Sequence, residues 1–407
     1  MSYPQGEPKF LGEKEMFIGA YNAPTPTDEN YKNIAECGIT HLFLNTMVGY
    51  EKNDVGYYKT PFELAEKYGF KIVVHSNCGG YGNVIQNKEH YKKQKTFAGL
   101  LAIDEPPETR FGMLKFDYEY YKKDFPDSPY YINLLPIYSE PYQLGWVDYT
   151  EHLRSYKETL LKNYDPRFRV LMCDTYPLKD GPSILEKWLL NIEMLRQIAT
   201  ETGAELHFYL QDQGFWGSWR QPTTLEELTF QLYTYLAFGA KGISHYPYLT
   251  PSSEKPDQKG IVCEDESKSF MFPLAKSLNE LVKKIDGVIL DFEWKAVVRA
   301  SANKDEYKGF DLCSDFKSSC GILHGASSDT DAIIGCFTNK DGYQGFMVVN
   351  FSEPLGGTKN KVTLMLDGVN RAVVFIDGAP SEKTIDDGKL VLELNKGEGV
   401  FVVPYNE

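Results

Sequence analysis

The chain has 407 residues, 42% of them hydrophobic and 25% charged, which is enough for more than one hydrophobic core and ordinary for a globular protein. A formal net charge of −14 with no basic cluster excludes a phosphate backbone, and so nucleic acid, as a partner. No apolar run approaches the roughly 18 residues that cross a bilayer, so no membrane helix is expected.

Eight short apolar runs alternate with longer amphipathic stretches. The runs are FIGAYNAP (17–24), ITHLFLN (39–45), KIVVHSN (71–77), LLAIDEP (100–106), YYINLLP (130–136), FRVLMCDTYP (168–177), ELHFYLQDQG (205–214) and GISHYPYL (242–249). Each begins apolar and β-rich and ends in polar or aromatic residues. Between them lie helical patterns such as PTDENYKNIAECG, TPFELAEKYG, LEKWLLNIEMLRQIATETG and TLEELTFQLYTYLAFGAKG. Thr27 and Asp28 stand where an N-cap belongs, and Gly38 stands where that helix should stop. Near-continuous apolar strands alternating with helices mean parallel strands covered by helices. Eight units predict a closed (β/α)₈ barrel. No G-x-G-x-x-G follows the first strand, which argues against a dinucleotide-binding sheet.

After a last helical pattern, FPLAKSLNELVKKIDGVI, the texture changes. WKAVVRAS, AIIGCFTN, GYQGFMVVNFS, KVTLMLDG, RAVVFIDG, KLVLELN and GVFVVPY are short strands separated by turns such as Asn339–Gly342 and Asp386–Gly388. They predict an antiparallel β-sandwich. The expected division is a barrel over residues 1–290 and a sandwich over 291–407. The sandwich is read as structural, packing on the barrel or joining two copies into a homo-oligomer.

The seven cysteines (Cys37, Cys78, Cys173, Cys263, Cys313, Cys320 and Cys336) are odd in number and form no C-x-x-C pair. Neither a zinc site nor a disulfide framework is indicated. Reduced thiols and a start, MSYPQGEPKF, without a signal-peptide pattern point to the cytoplasm.

A (β/α)₈ barrel places its chemistry at the C-terminal ends of the strands. That rule nominates Tyr21, Asn22, Asn45, His75 and Asn77 from the first three strands. It adds Asp104 and Glu105 from the fourth, and Asp174 and Tyr176 from the sixth. The seventh supplies Gln211, Asp212 and Gln213, and the eighth His245, Tyr246 and Tyr248. The sharpest feature is Asp104-Glu105-Pro106. Two adjacent carboxylates after an apolar strand are costly unless used or paired. Strand alternation lets only one of them point into the barrel mouth. A nearby like charge raises a carboxyl pKa, which is what a general acid requires. The structural alternative is a salt bridge or a helix cap at Pro106-Pro107.

The Asp-Glu-Pro placement resembles the clan A glycoside hydrolases, whose acid/base glutamate sits in an Asn-Glu-Pro at the end of the fourth strand. Cys173-Asp174-Thr175-Tyr176-Pro177 and the run from Gln211 through Arg220-Gln221-Pro222-Thr223 to Gly242 are similar to barrel glycosidases that carry Asp-Glu-Pro. The resemblance implies a glycoside hydrolase with Glu105 as general acid. It also implies a nucleophile glutamate after the seventh strand, and here the chain departs, with Gln211-Asp212-Gln213. Asp174 is the first choice for the missing carboxylate and Asp212 the second.

Asp104, Tyr21, Asn45, His75, Asn77, Gln211 and His245 are expected to hydrogen-bond a carbohydrate substrate. Tyr176, Trp216, Trp219 and Tyr246 are expected to stack on its rings. No cofactor is implied. Two rival readings stay open. One is a carbohydrate-binding barrel that has lost its nucleophile. The other is a hydrolytic metal site drawn from His75, His245 and the aspartates, although no H-x-H follows the first strand.

Overall fold

Eight parallel strands close into a barrel in the computed structural model, which describes residues 3–10, 12–45, 55–77, 79–215, 217–252, 258–301 and 307–407. In chain order the strands are Phe17–Ala20 (β1), His41–Asn45 (β2), Lys71–His75 (β3), Phe97–Asp104 (β4), Tyr130–Leu134 (β5), Val170–Cys173 (β6), Glu205–Gln211 (β7) and Ala240–Tyr246 (β8). Each pairs with its sequence neighbours, and β1 closes the ring on β8 from Phe17 opposite Gly242 to Ala20 opposite His245.

Strand alternation divides the side chains into two layers. Phe17, Phe43, Val73, Leu101, Tyr131, Val170, Met172 and Tyr209 fill the barrel interior. Ile18, Leu42, Leu44, Ile72, Val74, Ile132, Leu171, Phe208, Leu210 and Ile243 face the helices. Thr27 caps the first helix, Asp28–Glu36, by accepting from the Asn30 amide, and Gly38 follows its end with φ +83°. The link between β3 and β4 departs from the pattern, having only short 3₁₀ turns and the four-residue helix Lys88–Tyr91.

The C-terminal strands form an antiparallel sandwich. One sheet has six strands, in the order Phe292–Ala300, Ala332–Asn339, Gln344–Asn350, Gly399–Tyr405, Arg371–Ile376 and Ala379–Thr384. The other has three: Leu323–Ser328, Asn360–Leu366 and Lys389–Leu394. Two of these nine, Leu323–Ser328 (LHGASS) and Ala379–Thr384 (APSEKT), escape the hydrophobic pattern because they are polar edge strands. Val298, Ile334, Val348, Val374 and Val402 pack against Leu364, Leu390 and Leu392 between the sheets.

The outer face of the larger sheet covers the helix Leu225–Ala237, which is buried from Glu227 to Ala237. Its sequence therefore reads apolar nearly all round rather than as an amphipathic surface helix. A Thr224–Glu227 capping box starts it. Close approach is built in at Gly335, where a Cβ would lie 2.2 Å from the Ala237 carbonyl oxygen. Among the described residues, no helix is long and apolar enough to cross a membrane.

Because backbone atoms block Gly335, they cannot move aside as a side chain would. Gly335→Ala should therefore destabilise the protein by about 1–3 kcal/mol. Thermal denaturation reads the effect, and an unchanged melting temperature would show that helix and sheet are not in close contact.

Candidate active site

The fourth strand brings two carboxyl groups to the barrel mouth through a break in its alternation. Its register against β5 shifts between Leu101 and Ile103. Leu101 faces inward, whereas Ala102 and Ile103 both belong to the outer layer. The irregularity resets the count, so Asp104 turns inward. Glu105 follows with φ +49°, a left-handed conformation that a non-glycine residue adopts only under constraint. The result corrects the expectation that only one of the pair can enter the mouth: both line the same cavity.

Asn133, at the end of β5, ties the group together. Its Nδ2 donates to Asp104 Oδ1 at 2.8 Å and to Asp174 Oδ1 at 3.1 Å. Its backbone carbonyl accepts from the Glu105 amide at 2.9 Å. The Tyr21 hydroxyl donates to Asp104 Oδ2 at 2.9 Å. Asp174 continues the inward series Val170 and Met172, and its carboxyl hydrogen-bonds that of Glu105. Two carboxyl groups bond directly only if a proton lies between them. Burial, then the neighbouring Asp104 charge, pushes the Glu105 carboxyl up to about 7, while the bond from Asp174 pulls the other way. Asp174 is held well above the usual carboxylate range by burial and by the charges of Glu105 and Asp104. The two titrate as a pair that keeps a proton at neutral pH.

The cavity above this cluster has a volume of about 280 Å³. Its walls include Tyr21, Tyr138, Tyr176, Tyr209, Phe215, Trp219 and Tyr246. Tyr176 and Phe215 stack at 5.0 Å, and Phe215 stacks on Tyr246 at 5.9 Å. The Trp219 ring lies 5.0 Å from that of Tyr138 and carries the Lys179 ammonium 3.7 Å from its centroid. Arg220 anchors this loop: it donates to the carbonyls of Lys179, Gly181 and Ser183 and pairs with Glu227 and Glu353.

Of the residues expected from sequence, Tyr21, Asp104, Glu105, Asp174, Tyr176, Trp219 and Tyr246 line the cavity. Trp216 lies outside the described residues. Asn45, His75 and Asn77 do not line it. His75 donates through Nδ1 to Asn45 Oδ1 at 2.7 Å, its ring 5.5 Å from Tyr21, so these two residues brace the tyrosine from behind. Burial pushes the His75 pKa down despite Asp104. Asn77 occupies a turn with φ +50°.

Three candidates are sealed in the wall instead. Gln211 accepts from the Leu178 amide and donates to the carbonyls of Leu178 and Arg220. Asp212 has the parity of Phe208 and Leu210 and points to the helix layer, where its Oδ2 lies 2.9 Å from His245 Nδ1. His245 Nε2 lies 2.9 Å from Asn279 Oδ1. Burial pushes the His245 pKa down, but Asp212's charge and the hydrogen bonds to Asp212 and Asn279 outweigh it, and the net shift is upward. Both side chains are fully buried and neither lines the cavity, whereas Asp174 lines it beside Glu105. Sequence reasoning missed Asn133, Tyr138 and Tyr209. Inward parity in YYINLLP and HFYLQ was the available signal for Asn133 and Tyr209. Among the described residues, no group of three or more His, Cys, Asp or Glu is arranged to hold a metal ion.

No family model and no curated protein matches the sequence. Solved structures do match in shape. A β-galactosidase from Bacillus circulans sp. alkalophilus superposes with a TM-score of 0.59 at 10% identity, covering 97% of this chain and 100% of that one. A β-L-arabinopyranosidase from Geobacillus stearothermophilus gives 0.52 at 11% identity over 97% of both chains. The shared fold is a (β/α)₈ barrel followed by a β-sandwich. At these identities the likeness extends to the barrel and its trailing sheets and no further.

Two outcomes follow. Removing one partner of a buried ion pair costs about 3–5 kcal/mol, so Asp212→Ala should lower thermal stability sharply. Asp212→Asn should retain activity wherever it folds, and a folded but inactive variant would return Asp212 to the chemistry. The Glu105–Asp174 pair binds more protons folded than unfolded between the ordinary carboxylate range and about 7. Stability contributed by that proton falls as pH rises through this window. Asp174→Asn should therefore melt above the wild type at alkaline pH, with the gap closing toward acid. A variant that melts lower at alkaline pH would contradict the shared proton.

Proposed function

We propose that this protein is a glycoside hydrolase that cleaves O-glycosidic bonds of oligosaccharides or simple glycosides. In this reading Glu105 is the general acid and Asp174 its partner. The observation that carries the reading is the placement of Glu105 and Asp174 together in an aromatic-walled cavity at the strand ends, where burial raises both carboxyls. A carboxyl raised in this way holds the proton that a leaving sugar oxygen needs. Aromatic walls suit sugar rings, whose C–H faces are apolar and whose edges are polar.

Glycosidase carboxylates stand about 5 Å apart for retention and about 6.5–9.5 Å apart for inversion. Glu105 and Asp174 line the same cavity and interact with each other there. Substrate binding parts them, and the glycosidic oxygen takes the place of Asp174 as the partner of Glu105. Glu105 delivers the proton as the bond breaks. Asp174, freed as a carboxylate, either takes a proton from the water that attacks the anomeric carbon or attacks that carbon itself, forming an ester that water then hydrolyses with Glu105 taking the proton. Asp104, held by Tyr21 and Asn133, keeps the local field negative and favours the positive charge that develops on the sugar.

The contact also favours one rival, a barrel that binds sugar without cleaving it. A panel of aryl glycosides and oligosaccharides separates the two. Turnover of at least one sugar is expected, declining above about pH 7 as Glu105 loses its proton. Glu105→Gln should lower kcat by about a thousandfold without altering the fold. An active Glu105→Gln enzyme would overturn the assignment, and sugar binding without turnover by the wild type would establish the rival.

A further inference from the structure

The cavity is unbalanced in charge and in hydrogen bonding. Three carboxyl groups face it, and Glu105 and Asp174 share a proton. Asp104 accepts two hydrogen bonds, from Tyr21 and Asn133. The cluster thus gathers three carboxyl groups, one more than an acid and a carboxylate working as a pair require. Among the described residues that line the cavity there is no lysine, arginine or histidine to offset them. Lys179 rests on the Trp219 ring and is not part of the lining.

Two buried polar groups on the lining lack partners. Asn133, 3% exposed, spends its amide hydrogens on Asp104 and Asp174 while its Oδ1 accepts from nothing. Tyr209, 1% exposed and turned inward from β7, has no partner for its hydroxyl. Unsatisfied groups buried this deeply mark where a ligand's own polar atoms belong. With carboxylate oxygens and Asn133 Oδ1 counted together, acceptors outnumber free donors. Tyr21, Tyr176 and Tyr246 also line the cavity, and aromatic surface of this kind attracts cations.

From this imbalance we infer that the cavity takes an amino sugar whose protonated amine sits against Asp104 and the tyrosine faces. An ammonium group brings three donors and no acceptor, together with the positive charge the site lacks. The inference rests on the proposed glycosidase reading for the sugar, and on the cavity's charge for the amine. Neutral and anionic sugars satisfy the hydrogen bonds less well and leave the charge uncompensated.

Calorimetry with free monosaccharides tests it without interference from hydrolysis. The probes are glucosamine, galactosamine and mannosamine, their N-acetyl derivatives and the parent hexoses, at mildly acidic pH and low salt. At least one amine should bind about tenfold or more tightly than both its acetylated and its neutral counterpart. That advantage should shrink as salt is raised, and Asp104→Asn should bring it to within about twofold. If Asp104→Asn does not fold, the salt dependence of the wild type decides alone. An N-acetyl or parent sugar that binds as tightly as its amine overturns the inference. Hydrolysis of neutral glycosides with no amine preference would leave the glycosidase reading standing and remove this one. Amine-selective binding with no turnover of any glycoside would do the reverse.

Discussion

Two carboxyl groups, Asp104 and Asp174, converge on the side-chain amide of Asn133, whose backbone carbonyl holds Glu105 beside them, and the mouth of the barrel is organised around that convergence. Gathering acids in a poorly hydrated cavity is unfavourable, since each loses water and repels the others. The protein offsets the cost in three ways. Asn133 donates to Asp104 and Asp174 at once, Tyr21 donates to Asp104, and Glu105 and Asp174 share a proton instead of both ionising. None of these arrangements contributes as much to stability as an apolar plug of the same shape would. The site is a cost that the rest of the fold carries.

What carries it is a barrel layered by strict alternation and clamped from outside. The helix Leu225–Ala237 lies between the barrel and the six-stranded sheet, and Gly335 lets the two backbones approach. Arg220 joins the aromatic loop over the cavity to Glu227 at the start of that helix and to Glu353 of the sandwich. The buried His245–Asp212 pair fixes the ends of the seventh and eighth strands from behind. The walls that hold Tyr209 and Tyr246 are therefore supported by polar contacts that never touch a ligand.

Much of this was legible in the sequence. Eight apolar runs point to the barrel, the change of texture toward the C-terminal third points to the sandwich, and Asp-Glu-Pro after the fourth run points to two carboxyl groups that line the cavity. Parity explains what went wrong. Asp212 and His245 were nominated because they stand at strand ends, yet each is an even step from residues of the outer layer, Phe208 and Ile243. Asp174 is an even step from Met172 and faces in. The same count places Asn133 and Tyr209 inside, and it was not carried that far. Around Asp104 the count itself fails. The shift between Leu101 and Ile103 and the positive φ at Glu105 are backbone features that no periodicity announces, and together they bring both acids inward. The two missed strands, LHGASS and APSEKT, are edge strands that carry little apolar signal.

The claim on which the account turns is that Glu105 and Asp174 hold one proton between them at neutral pH. Infrared difference spectroscopy observes it directly, because a protonated carboxyl carries a C=O stretch that a carboxylate lacks. The difference between wild type and Asp174→Asn, recorded across the neutral range, should show a protonated-carboxyl band that persists well above the ordinary carboxylate range. Absence of that band at neutral pH would mean that both acids ionise, and the cluster described here would not be the source of a catalytic proton.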